Sequence, residues 1–339
     1  MNEFELIRHF FRQQPALLPP GHPDSLLPAQ QAAERAPLPP GPLLGIGDDC
    51  ALLATPPGEV LAVSSDMLVA GRHFFEGTDP AAIGHKSLAV NLSDLAAMGA
   101  CPLGFTLALA LPAVDVDWLR GFSTGLLALA RRAVCPLVGG DTTRGPLTIA
   151  ITVMGRVPAE RALRRDGARP GDDIWVSGAL GAAALAVAQR SRGEVADAEA
   201  ARRLDWPMPR LATGLGLRGM ATAAMDISDG LAGDLAHLLS ASGQRLGTPL
   251  GAELMAAALP LAAPLRQLPQ AEARHLLLHG GDDYELLFTA PPGARERIRA
   301  LCPTACRIGR IVPGRAMLLV EADGVRQPLA ARGHDHFSS

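Results

Sequence analysis

Lysine is almost missing from this chain. Of 31 basic residues only Lys86 is a lysine, and 34 acidic residues leave a net charge of −3. A Walker phosphate loop combines glycine-turn amides with a Gly-Lys-Ser/Thr ammonium. The nearest match here, Gly84-His85-Lys86-Ser87, has no upstream glycine at the required spacing. The Val-Ala-x-Lys, His-Arg-Asp and Asp-Phe-Gly set of protein kinases is also absent. With no basic excess and only 4% aromatic residues, neither a nucleic-acid surface nor a base-stacking platform is expected. Five cysteines, an odd number with no Cys-x-x-Cys pair, argue against a disulfide frame or a zinc site and for reduced thiols in the cytoplasm. Residues 95–114 carry no charge, but Gly99, Pro102, Gly104 and Pro112 interrupt them, so a helix end, a turn and a buried strand are expected rather than a membrane span.

What is present is a 339-residue chain, 48% hydrophobic, long enough for about two domains. Nine prolines between residues 15 and 42 predict a mobile surface insertion without regular structure. Beyond it, apolar runs alternate with helical patterns. Strands are expected at 60–65, 105–111, 147–154, 173–177, 284–290 and 307–312, and helices at 83–98, 118–133, 180–190, 231–242 and 294–301. An arginine-rich linker near 155–170 divides the chain into domains 1–155 and 156–339.

The aspartates are placed unusually. They adjoin glycines or serines at the ends of apolar runs: Gly47-Asp48-Asp49, Ser64-Ser65-Asp66, Gly139-Gly140-Asp141, Asp226-Ile227-Ser228-Asp229-Gly230 and Gly280-Gly281-Asp282-Asp283. A carboxylate at a strand end beside glycine stands where a ligand can approach the backbone. A lone Asp-Gly is an ordinary turn, but five such sites make five unrelated turns a weaker account. On the helix at 83–98, Ser87, Asn91 and Asp94 follow i, i+4, i+7 and form one polar stripe on an otherwise apolar cylinder. Such a helix is buried, and its stripe is either a satisfied core network or part of a metal site. Two carboxylates ~4 Å apart repel by ~4 kcal/mol at an effective dielectric of ~20, which divalent cations offset. Hard oxygen donors without a Cys–His set favour Mg²⁺, which shares its ligands with phosphates. The pattern therefore suggests nucleotide chemistry, with Arg144 and Arg165 as phosphate clamps.

In order along the chain stand Glu3-Phe4-Glu5-Leu6-Ile7, Gly45-Ile46-Gly47-Asp48-Asp49, Ser65 to Phe74, Lys86 to Ala100, Gly139 to Pro146, Gly167 to Asp172, Asp226 to Leu231, Gly281 to Leu286, and Gly333-His334-Asp335-His336-Phe337. In these stretches the chain resembles the thiamine-monophosphate kinase family, of the superfamily that includes aminoimidazole ribonucleotide synthetase and selenide, water dikinase. The resemblance implies an α/β plus α+β, two-domain fold like that of the synthetase, with the N-terminal sheet pairing across a homodimer. It implies direct transfer of the γ-phosphoryl group of ATP to thiamine monophosphate, dependent on several Mg²⁺ ions. It further implies Asp49, Ser64, Ser65, Asp66, Asp94, Asp141, Asp226 and Asp229 as metal ligands. Gly140, Asp141, Arg165 and Ser228 would contact ATP, His73 and Asp282 the substrate, and Asp66, Asp94 and Asp141 would act in catalysis through bound metal. Asp282 stands where the family usually has Glu, and Ala331 and His334 stand where an aromatic is common, leaving His334, Phe337 or another residue to stack on thiamine. A different ATP-using enzyme of the superfamily, or a non-catalytic nucleotide-binding dimer, would also fit the resemblance.

Overall fold

The computed structural model describes residues 3–29, 42–46 and 50–331. Asp49 and the terminal Gly333–Phe337 motif lie outside them. The chain divides into two compact units, residues 1–96 with 100–160, and 97–99 with 161–339.

The first unit is built on four strands: β1 (Glu59–Val69), β2 (Cys101–Leu111), β3 (Leu137–Arg144) and β4 (Thr148–Pro158), in spatial order β1-β4-β2-β3. β1 and β2 both run antiparallel to β4, and β2 and β3 run parallel. A short helix α1 (Glu3–Leu6) continues as wider helical turns over Ile7–Arg12. Helix α2 (Pro80–Ala97) is buried along nearly its whole length, as its apolar cylinder requires. Helix α3 (Val116–Ala133) makes the β2–β3 crossover and starts at Asp115, whose carboxylate accepts the N–H groups of Asp117 and Trp118. The two helices touch backbone to backbone: a Cβ at Gly84 would strike the Phe122 carbonyl, and one at Gly125 the Ala81 carbonyl.

Residues 15–29 contain no helix or strand, as their prolines dictate, yet they are not a free surface insertion. Leu18 and Leu27 are buried, and the segment is fastened to the C-terminal end of α3. There Leu18 and Leu26 N–H donate to the carbonyls of Arg131 and Arg132, and the two arginine side chains donate back to the carbonyls of Ala16 and Asp24. At the end of α3 this strap thus bonds the carbonyls of Arg132 and of Arg131, the latter also accepting the capping Val134 N–H.

The second unit holds seven strands: β5 (Asp173–Val176), β6 (Ala223–Asp226), β7 (Leu250–Met255), β8 (Leu286–Ala290), β9 (Cys306–Pro313), β10 (Met317–Val320) and β11 (Arg326–Pro328). Their order is β11-β10-β7-β9-β5-β8-β6, antiparallel except for β10 with β7. Its helices are α4 (Ala182–Ser191), α5 (Ala198–Asp205), α6 (Leu211–Leu217), α7 (Leu231–Leu246), α8 (Gln270–His279) and α9 (Arg295–Leu301). The result is the expected α/β plus α+β pair. α7 runs through Gly243, where an end was expected, and stops at Gly247, whose φ of 71° caps it. No helix among the described residues is long and apolar enough to cross a membrane. The uncharged stretch 95–114 is divided into the end of α2, a turn at Gly99 and strand β2.

Candidate active site

In the first unit, strand β1 and helix α2 bring three of the expected residues together. Ser64 Oγ donates to Asp94 Oδ2 at 2.5 Å, and the Asp66 backbone N–H donates to Asn91 Oδ1 at 3.1 Å. Asn91 thereby ties the helix to the strand, and its own NH₂ returns to the Ser87 carbonyl. Ser87, also on the stripe, bonds back to the Ile83 carbonyl, so this part of the stripe is a satisfied network and only its Asp94 end meets β1 side chains. Burial first, and the Asp94 charge second, push the Asp66 carboxyl up to about 6.

Ser65 is turned away. Side chains alternate across a strand. Ser65 Oγ donates to the Ile151 carbonyl and shares a hydrogen bond with Thr152 on the opposite face, beside exposed Val63 and Met67. Asp141 lies on β3, exposed, with Oδ1 accepting the Thr142 N–H. Gly140 before it has φ 146°, and a Cβ there would strike the Leu107 carbonyl, so only glycine fits. His73 closes the turn after β1, its Nδ1 accepting the Val69 N–H, which puts the ring proton on Nε2 when neutral.

In the second unit, Asp226 ends β6 and leads into the Ile227–Gly230 turn. This turn pairs with residues 282–285: Asp282 N–H donates to the Ser228 carbonyl, Tyr284 N–H to that of Ile227, and Ile227 N–H to that of Glu285. Asp226, Ser228, Asp229 and Asp282 are thus carried by two adjoining, hydrogen-bonded segments. Asp282 has φ 66° and Tyr284 φ 50°, left-handed values costly for non-glycine residues, and the Tyr284 hydroxyl bonds Asp282 Oδ1. Asp283 accepts the Gly181 N–H with both oxygens at the start of α4, and burial drives its carboxyl well above the usual range. Arg165 is exposed, and its carbonyl accepts the Ser242 hydroxyl.

Three features were not anticipated. Asp234, on the first turn of α7, accepts the N–H groups of Ser228, Asp229 and Gly230 at 3.1–3.2 Å. Burial, and then the Asp229 charge, raise its carboxyl to about 7 against the opposing pull of those three amides. Glu285, 1% exposed, accepts from Ser177 Oγ, from Arg210 through both of its donors, and from Arg203. Arg203, near the end of α5, belongs to this ion cluster through Glu285. For Asp234 the signal was available: a carboxylate four residues after the glycine that starts a helix can reach back to the first amides, a variant of the capping box.

Among the described residues no three His, Cys, Asp or Glu side chains converge to hold a metal ion. Each unit offers acidic side chains on hard-oxygen frameworks, and in the first the Asp66–Asp94 repulsion is of the kind a cation relieves.

Residues 47–157 match the AIR synthase related protein N-terminal domain, and residues 169–320 match the C-terminal domain. The thiamine-monophosphate kinase of Salmonella typhimurium is 45% identical over 307 residues, covering 87% of this chain and 92% of its own. The chain belongs to the thiamine-monophosphate kinase family. The Escherichia coli K12 member of the family is 46% identical over 308 residues, with the same coverage. A crystal structure of the kinase from Stenotrophomonas maltophilia K279a superposes with a TM-score of 0.78 at 44% identity, covering 88% of this chain and 96% of that one. AaThiL complexed with AMPPCP and TMP superposes with a TM-score of 0.73 at 30% identity, covering 86% and 92%. The hydrogenase maturation protein HypE, at 23% identity and a TM-score of 0.71, shares the fold.

Proposed function

We propose that this protein transfers the γ-phosphoryl group of ATP to the phosphate of thiamine monophosphate, forming thiamine diphosphate and ADP. Family membership at 45% identity over most of both chains carries the reading. The related AaThiL binds AMPPCP, a methylene analogue of ATP, together with TMP, which supports the same pair of ligands here.

The acceptor is a phosphate oxygen, largely ionised at neutral pH, so the reaction needs no strong general base. The protein's task is to hold two anions in line and to offset their repulsion. We assign ATP contacts to Gly140, Asp141, Arg165 and Ser228, and substrate contacts to His73 and Asp282. Asp49, Ser64, Ser65, Asp66, Asp94, Asp141, Asp226 and Asp229 would hold Mg²⁺, with Asp66, Asp94 and Asp141 acting in catalysis through it. The fit rests on donor chemistry, since carboxylates and hydroxyls are the oxygen donors magnesium selects. Bound magnesium would supply charge compensation for the polyphosphate. For Ser65 the side chain is turned to the opposite face, where it donates to the Ile151 carbonyl. Asp94 accepts the Ser64 hydroxyl, which sets its carboxylate beside Asp66. His73 Nδ1 accepts the Val69 N–H, which fixes the ring at the turn after β1.

The outer face of β1 exposes Leu61, Val63 and Met67 by 48%, 57% and 57%. We assign this face to pairing with a second copy of the chain. Five cysteines with no disulfide among them fit a reducing, cytoplasmic location.

The deciding assay supplies ATP and thiamine monophosphate with and without Mg²⁺ and follows ADP and thiamine diphosphate. Mg²⁺-dependent formation of both products is expected. Absence of product with this acceptor, together with turnover of an aminoimidazole precursor, would overturn the reading.

A further inference from the structure

Buried backbone amides that neither a helix nor a sheet engages must find another acceptor. In the turn that leads into α7, the N–H groups of Ser228, Asp229 and Gly230 all donate to a single carboxylate, that of Asp234. Asp234 is 2% exposed, so water has little access to take its place. The opposite side of the same turn is held separately, through the carbonyls of Ile227 and Ser228 that accept from Tyr284 and Asp282. Gly230, at φ 115° and packed against the backbone of His279 and Gly280, leaves the turn no room to shift as a body. The turn therefore has two sets of anchors, and Asp234 supplies every acceptor on its amide side.

We propose that Asp234 is a positioning residue for nucleotide binding: its carboxylate fixes the Ser228–Gly230 turn so that the Ser228 and Asp229 side chains are held in one orientation. The proposal rests on the assignment of Ser228 and Asp229 made above. It has a further consequence. Since the Ser228, Asp229 and Gly230 amides are already engaged by the protein's own carboxylate, this turn meets the nucleotide through its side chains. Removing Asp234 takes away the amide-side anchors and leaves the carbonyl-side anchors, so the turn loosens locally while the surrounding sheet and α7 remain folded.

The test compares the full-length protein with Asp234→Ala and Asp234→Asn. Without ligands, amide exchange of residues 228–230 is expected to be about tenfold faster in Asp234→Ala, while the amides of 235–239 keep their protection. With Mg²⁺ present, the KM for ATP is expected to rise about tenfold, the worth of one net hydrogen bond to a charged group, while the KM for thiamine monophosphate stays within about twofold. Asp234→Asn, which keeps one acceptor oxygen, should fall between wild type and Asp234→Ala in both measurements. Unchanged exchange at 228–230 would overturn the proposal. So would equal rises in both KM values accompanied by loss of protection throughout α7, with Asn no better than Ala, because that is the signature of a merely structural residue. If the wild-type protein turns over no thiamine monophosphate, the function proposed above fails; the clamp is then judged by the exchange rates and by calorimetric titration with Mg²⁺ and ATP, where unchanged ATP affinity in Asp234→Ala overturns it.

Discussion

Asp66 is a residue whose environment disagrees directly with its charge. Its carboxyl, with an ordinary value of 3.8, titrates at about 6 in the fold, chiefly because it is buried and secondly because Asp94 is negative. A folded-state value above the unfolded one means that protonation favours folding. That stabilising contribution is fully present below about pH 4 and is lost as pH rises through about 6; ionisation then costs up to about 3 kcal/mol. Metal-free Asp66→Asn should therefore match the wild type in denaturant stability at pH 4 and exceed it at pH 8. Addition of Mg²⁺ should raise the melting temperature of the wild type more than that of the variant. A wild type as stable as Asp66→Asn at pH 8 without metal would remove the strain from this site. Asp94→Asn tests the same pair from the helix side. The amide can still accept the Ser64 hydroxyl, so the fold should persist, while turnover should fall by about a hundredfold or more with loss of the charge. Near-wild-type rates would exclude Asp94 from the catalytic group.

Strands, helices and the turns between them explain why the second unit presents its acidic turn rigidly. The segment 281–285 serves three elements at once: Asp282 pairs with the Ser228 turn, Asp283 caps α4, and Glu285 collects Ser177, Arg203 and Arg210. A buried carboxylate with two guanidinium partners is a weak source of net stability, but deleting it leaves two cations without their counter-charge. Glu285→Ala is expected to lower unfolding free energy by about 3–5 kcal/mol in urea titration. A loss below about 1 kcal/mol would show that water replaces the carboxylate easily. In the first unit the corresponding element is the β2–β3 pair. There Gly140→Ala would force a Cβ into the Leu107 carbonyl and is expected to distort β3 at Asp141, measurable as weakened ATP binding.

At the scale of the whole molecule, the exposed face of β1 is the one proposed to pair with a second copy. Three large apolar side chains on one strand face, with Ser65 among them, form a patch that a soluble chain covers when it can. Val63→Glu combined with Met67→Glu is expected to convert a dimer to a monomer in sedimentation velocity, because like charges directed into a self-paired face repel their own copies. A wild-type monomer at micromolar concentration would refute the pairing. The same alternation separates the two roles of the Ser64-Ser65-Asp66 triplet: Ser64 and Asp66 turn toward α2, and Ser65 turns toward the proposed partner.

Much of this protein was legible one residue at a time. The glycine-flanked aspartates, the buried polar stripe on α2, the lysine-poor composition and the order of motifs are local facts, and with them came the family, the fold class and the donor chemistry. The strand β3 escaped notice because its two glycines erase the period-two pattern, and β6, β7 and the short helices α5 and α6 are too brief for periodicity to register. The remaining features depend on groups distant in the chain. The strap of residues 15–29 is held by carbonyls more than a hundred positions away, and Glu285 recruits Ser177 and Arg210 across gaps of 108 and 75 residues. Residue type and short spacing therefore decided which chemistry the chain carries. Which carboxylates are buried, which amide each one accepts and which face each serine turns to were decided only by tertiary structure, because burial and hydrogen-bond partnership belong to surfaces that do not exist until the chain has folded.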